Sequence, residues 1–143
     1  MVAFPIDRDV IADAIAPRGL PGFEIRQVMD AIGIDDHRKV VTEGFGSPSA
    51  LAFGSTCAGL LDHPACTIYV GYAGGAPVAS GLGWRTGRTI GAYAIATIPA
   101  ARQNGYGAAM TARVVTDGLN AGCDVAVLQA FDDVHLPEGA AAV

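Results

Sequence analysis

Charge is scarce in this sequence. Only 16% of its 143 residues are charged, and acidic residues outnumber basic ones 14 to 9. The net charge of -5 argues against a partner gripped through nucleic-acid phosphates, which needs a basic surface. It is compatible with a cationic partner such as an amine. Cysteine is also sparse: Cys57, Cys66 and Cys123 form no CxxC pair. An odd count without close spacing fits reduced thiols in a reducing compartment, so the cytoplasm is the expected location. Cys57 carries no recognisable nucleophile signature. No two histidines, and no His with Cys, have metal-ligand spacing, so no metal is expected. No run of about 18 apolar residues exists, which excludes a spanning helix. Asp7, Arg8 and Asp9 occupy the place where a signal peptide needs its apolar core.

What is abundant is small and apolar. Half the residues (51%) are hydrophobic, a composition that folds as one domain of ordinary size. Asp7 to Ala16 reads as a short helix stopped by Pro17, and residues 18–22 as a turn-rich linker. Phe23 to Met29 alternates like a strand. A helix follows from about Ile34 to Glu43, ended by Gly44 and Gly46. His37, beside Arg38 and Lys39, reads as part of its solvated face. Ser47-Pro48 suits the start of another short helix.

The pattern then sharpens. Thr67 to Ala73 and Pro77 to Arg85 flank Gly74-Gly75 as a hairpin. Thr86-Gly87 turns the chain into a third strand, Thr89 to Ile98, which Pro99 ends. A helix runs from about Gly105 to Ala121 with Ala108, Ala112, Val115 and Leu119 along one face. Val125 to Gln129 is a short apolar strand. Strand, helix and strand make a right-handed crossover, so those two strands should be parallel. Phe131 to Val143 has no helical or strand period and is expected to be a frayed tail.

The chemistry lies in the turn Arg102-Gln103-Asn104-Gly105-Tyr106-Gly107. Two glycines remove side chains where main chain can approach a ligand. The first N–H groups of the following helix lack internal partners, and with the helix dipole they make an anion site. A pyrophosphate fits there with Arg102 as the only basic side chain. A Rossmann fingerprint does not fit: position 110 is Met where the third glycine belongs, and the motif follows a meander rather than opening the fold.

Taken with the runs Val70 to Ser80, Ile95 to Thr111 and Ala126 to Ala130, this turn closely resembles the GNAT acetyltransferase family. The turn corresponds to that family's Q/R-x-x-G-x-G/A loop. The resemblance is strong over residues 67–130 and covers residues 23–66 only in order and pattern. It implies a mixed α/β (α+β) fold: an antiparallel meander, then a βαβ crossover, with helices on both faces of a mixed sheet. The domain would run from 23 to 130, with residues 1–22 as helix and linker before it and 131–143 after it. It further implies acetyl-CoA as cosubstrate and an amine as acceptor. The main chain of Ile95, Ala96 and Thr97 would pair with the pantetheine arm, and Gln103, Asn104, Gly105, Tyr106, Gly107 and Ala108 would offer N–H groups to the pyrophosphate. Backbone at Ala96 would polarise the thioester carbonyl.

Two departures from the family pattern bear on activity. Thr89 to Ile98 lacks the carboxylate that many members use as base; Tyr93 is its only ionisable side chain and a minor candidate for contact with the reaction. After the fifth strand the family continues with a helix, which usually brings a Tyr acid, and with further strands. Here 14 residues follow Gln129 and none is Tyr. Asp132, Asp133 and His135 lie in that stretch. The alternative function is therefore a catalytically silent acyl-CoA-binding or interaction module. The strand 125–129, lacking its family neighbours, is expected to be an exposed apolar edge through which copies could associate.

Overall fold

The computed structural model describes residues 2–5 (main chain), 20–46 and 58–128. Strand β1 is Val2–Pro5 and β2 is Phe23–Gln27. Helix α1, Ala31–Phe45, follows, and then a 3-10 turn at Ala58–Asp62. The meander is β3 (Cys66–Ala73), β4 (Ala76–Thr86) and β5 (Thr89–Thr97). A 3-10 turn at Pro99–Ala101 leads to helix α2, Tyr106–Asn120, and strand β6, Val125–Leu128. The six strands form one sheet in the order β1-β6-β5-β4-β3-β2. The meander is antiparallel, and β6 pairs parallel to β5 as the crossover rule requires.

Helix α1 begins one turn earlier than its apolar pattern suggests. Asp30 caps it, its carboxylate accepting from the Gly33 N–H at 2.8 Å. The helix ends on Gly46 in the left-handed region at φ 66. Alternation along β3 sends Ile68 and Val70 into one core cluster with Ile34 of α1. Tyr69 enters the other with Met110 and Val114 of α2. The two helices therefore cover opposite faces of the sheet.

Three expectations need correction. The buried face of α2 is Met110, Val114, Val115 and Gly118, so of the expected stripe only Val115 is buried. Gly118 explains the shift: a Cβ there would lie 2.6 Å from Ile90 Cβ, and a glycine at the point of closest approach looks like a gap in an apolar pattern. His37 is not on a solvated face; it is fully buried with Ile34, Val40 and Val41 on the sheet side of α1.

The strand at 125–129 is not an exposed edge. β1 pairs with β6 antiparallel, from Val2↔Leu128 to Pro5↔Val125, so the unpaired groups expected to recruit a second copy are met by the chain's own N-terminal strand. The expected helices at Asp7 to Ala16 and Ser47-Pro48, the residues Cys57, Gln129, Asp132, Asp133 and His135, and the tail 131–143 lie outside the described residues.

Candidate active site

The site begins where two strands part. Pairing of β5 with β6 stops at Ala92↔Leu128, whereas β5 continues on β4 to Thr97. Among the described residues, no strand covers the outer edge of β5 beyond Ala92. In the same stretch β5 bulges: the register steps from Leu82↔Tyr93 to Ser80↔Ala96, three residues against two. Ala94 takes φ 51, in the left-handed region. Gly81 stands opposite, where a Cβ would come within 3.2 Å of Ile95 Cδ1. The carbonyl of Ala94 accepts a 2.7 Å hydrogen bond from the hydroxyl of Ser80, which is fully buried. Below the bulge the Ile98 N–H donates to Val78 O at 3.0 Å. Alternation along an antiparallel ladder then turns the peptide groups of Thr97 toward the open edge.

The turn after β5 is held by its own polar side chains. Arg102 Nη2 donates to Gly44 O at 2.7 Å and Nε to Thr97 O at 3.3 Å, tying the last turn of α1 to the end of β5. Asn104 Nδ2 donates to Ala101 O at 2.9 Å and to Arg102 O at 3.3 Å. Gln103 at φ 67 and Gly105 at φ 81 complete the reversal. Gly105 is the N-cap of α2 and no side chain caps the helix. The first internal bond runs from Ala109 N–H to Gly105 O at 3.1 Å, so the amides before it have no acceptor within the helix. A Cβ added at Gly107 would meet only Thr97 Oγ1, at 3.7 Å.

Bulge, turn and helix start open onto one cavity of about 520 Å³. It is lined by residues 92–97, by Arg102, Gln103 and residues 105–108, and by Phe45, Leu128, Ala101 and Thr111. The structure thus brings Tyr93, Ile95, Ala96, Thr97, Arg102, Gln103, Gly105, Tyr106, Gly107 and Ala108 to one space, while Asn104 stays out of the lining. The Tyr106 ring stacks on Phe23, centroids 4.2 Å apart and planes nearly parallel. Tyr93 lies over Gly91, where a Cβ would stand 2.4 Å from its ring. No carboxylate or histidine is among the described lining residues.

Sequence reasoning missed Ser80, Gly81 and Gly44. Ser80 did carry a signal, a hydroxyl inside an apolar strand. In the sequence Gly44 reads as a helix stop, yet its second use is close approach: a Cβ there would lie 2.8 Å from Ala96 Cβ.

The strongly perturbed groups lie elsewhere. Burial, then its hydrogen bond to Asp117, holds the Tyr69 phenol well above its ordinary value; the bond is 2.6 Å long. Burial, then Asp36, pushes Tyr72 up to about 12. Burial pushes the Cys66 thiol up to about 11, the opposite of an activated nucleophile. Among the described residues no cluster of three or more potential ligands could hold a metal ion. No helix there is long and apolar enough to cross a membrane.

Residues 24–130 match the family model of the acetyltransferase (GNAT) domain. No curated protein matches the chain. Among solved structures, a GCN5-related N-acetyltransferase from Kribbella flavida is 17% identical with a TM-score of 0.65, over 88% of this chain and 45% of that one. The chain therefore spans less than half the length of that protein. An aminoglycoside N-acetyltransferase, AAC(6')-Iy, in complex with CoA is 19% identical with a TM-score of 0.65, over 82% of each chain. A putative acetyltransferase of the GNAT family from Desulfovibrio desulfuricans is 19% identical with a TM-score of 0.67, over 80% of this chain and 78% of that one. At these identities the structural likeness is one of fold.

Proposed function

The chain belongs to the GNAT acetyltransferase family, and we propose that it moves an acetyl group from acetyl-CoA directly to an amine. One observation carries this reading: the uncovered edge of β5 and the uncapped start of α2 open onto the same cavity. An extended pantetheine arm can add to that edge as a further strand, through the main chain of Ile95, Ala96 and Thr97. The pyrophosphate then reaches the amides from Gln103 to Ala108. The space beside Gly107 fits this assignment, because a side chain there would project into the cavity rather than into the protein. Arg102 contributes by bracing the turn, since its guanidinium is engaged by main-chain carbonyls.

In the transfer the amine nitrogen attacks the thioester carbonyl carbon, and the developing oxyanion is met by main-chain N–H. Ala96 pairs with Ser80 in the ladder, so we assign the polarising N–H to Ile95, one residue before it. The nitrogen gives up one proton as the carbon–sulfur bond breaks, and the coenzyme A thiolate leaves and takes up a proton in turn. The phenol of Tyr93, in the cavity wall, is our candidate for contact with the reacting groups. Proximity in the cleft supplies much of the rate. We place the reaction in the cytoplasm, in keeping with the free thiols of Cys66 and Cys123.

The second reading, a silent acyl-CoA-binding or interaction module, is favoured by the lack of a carboxylate or histidine among the described lining residues. Calorimetry with acetyl-CoA tests what the two readings share, and absence of binding overturns both. A thiol-release assay over a panel of amines separates them: release dependent on an added amine supports the transferase, and tight binding with no release across the panel supports the module.

A further inference from the structure

We propose that Ser80 is a positioning residue for acetyl transfer: its hydroxyl holds the bulge peptide so that the Ile95 N–H faces the acetyl carbonyl. The inference rests on the proposed function and adds to it the group that aims the polarising amide. Ser80 has no exposed surface, and it lies on β4, where the ladder already pairs it with Ala96. Its side chain is spent on the Ala94 carbonyl, 2.7 Å from Ser80 Oγ. The register break leaves Ala94 and Ile95 together opposite Gly81, so the hydroxyl supplies an acceptor's partner where the ladder is broken.

Peptide planarity makes this bond directional. There is no cis peptide among the described residues, so C=O of Ala94 and N–H of Ile95 point in opposite directions. Holding the carbonyl toward β4 turns the N–H away from β4, to the side of β5 that no strand among the described residues covers beyond Ala92. Ile95 is in the cavity wall on that side. Ala94 at φ 51 is an alanine in a region that favours glycine. A conformation of that kind persists only where its surroundings impose it, and the Ser80 bond is one such restraint. Without it the peptide can rotate, and the N–H no longer has a fixed aim.

The test uses acetyl-CoA labelled with ¹³C at the acetyl carbonyl, bound to the wild-type protein and to Ser80→Ala. A hydrogen bond to the carbonyl oxygen deshields that carbon, so the wild-type complex should show a downfield resonance and Ser80→Ala one moved back toward free acetyl-CoA. In turnover, Ser80→Ala should lose at least about tenfold in kcat, up to the limit of about a hundred- to a thousandfold for removing an oxyanion donor outright. The KM for acetyl-CoA should stay within about twofold, because pantetheine and pyrophosphate contacts are untouched.

Ser80→Thr keeps the hydroxyl and should restore both the resonance and kcat; it also carries the test if Ser80→Ala does not fold. A wild-type complex with a shifted resonance and a Ser80→Ala complex with the same one overturns the role of Ser80 alone. So does a parallel loss of acetyl-CoA affinity and kcat, or a folded Ser80→Thr with the resonance of free acetyl-CoA. A wild-type protein that binds no acetyl-CoA, or leaves its carbonyl unshifted, overturns the proposed polarisation and Ser80 with it.

Discussion

Replacing Gly107 by alanine should raise stability and lower coenzyme A affinity, two effects of opposite sign from one methyl group. Gly107 lies in the first turn of α2, outside the positive-φ region. The new Cβ would touch only Thr97 Oγ1, at the ordinary separation of 3.7 Å. With no strain to offset it, the reduced freedom of the unfolded chain contributes about 0.4–1 kcal/mol. For a domain of this size that is roughly 1–4 °C in Tm. If a diphosphate crosses the amides near residue 107, the same methyl stands between them and its oxygens. Losing one hydrogen bond to a charged group costs about 1.5–3 kcal/mol, or roughly ten- to a hundredfold in Kd. Thermal unfolding followed by circular dichroism reads the first effect and calorimetry with coenzyme A the second. S-Acetylpantetheine, which has no pyrophosphate, is the control and should bind both proteins equally; Gly107→Arg should remove coenzyme A binding altogether. Coenzyme A affinity within twofold of wild type in Gly107→Ala would refute the placement of the diphosphate, whatever Tm does.

Gly44→Ala should behave in the opposite way. Its Cβ would press on Ala96 Cβ at 2.8 Å, and overpacking of that kind costs about 1–3 kcal/mol; an unchanged urea midpoint would show that α1 does not need this close approach. Tyr69 and Tyr72 both sit above the ordinary 10.0 of a phenol when folded, so the folded state keeps protons that the unfolded chain releases. Their contribution to stability is full below pH 10 and falls as pH rises toward about 12, the value for Tyr72. Urea unfolding between pH 9 and 11.5 should show that decline, shallower in Tyr72→Phe; an identical slope would rule Tyr72 out as its cause. Deleting residues 1–5 removes the strand that covers β6 and should produce concentration-dependent self-association in sedimentation; a truncated protein that stays monomeric would mean the β6 edge is not adhesive.

Features of the fold that depend on local chemistry were legible in the sequence. The meander follows from Gly74-Gly75 and Thr86-Gly87, and the parallel β6 from the handedness of its crossover. What escaped involves two distant segments meeting. β1 is four residues long, too short for a period to stand out, and its pairing with β6 spans nearly the whole described chain. The sheet side of α2 is hidden in the sequence because Gly118, a core position, carries no side chain to register as apolar. His37 sits among charged neighbours in sequence but on the sheet side of α1 in space. The turn proposed for the pyrophosphate was readable because positive φ at Gly105 asks for glycine. The bulge was not, since Ala94 adopts φ 51 with no residue signature at all.

That contrast follows from what the proposed site is made of. Its polar groups are main-chain amides, presented by a bulge and by an uncapped helix. The side chains around them need only be small, as at Gly44, Gly81 and Gly107, or brace the main chain, as Ser80, Arg102 and Asn104 do. Many sequences meet such demands, which is how one fold persists at 17–19% identity. The lack of a carboxylate on β5 then removes nothing from this framework. A missing base lowers the supply of neutral amine, but it leaves the proposed pantetheine edge and pyrophosphate turn intact. The proposed binding and transfer are therefore separable by experiment: calorimetry reads the backbone framework, and thiol release reads the side chains and the acceptor added to it.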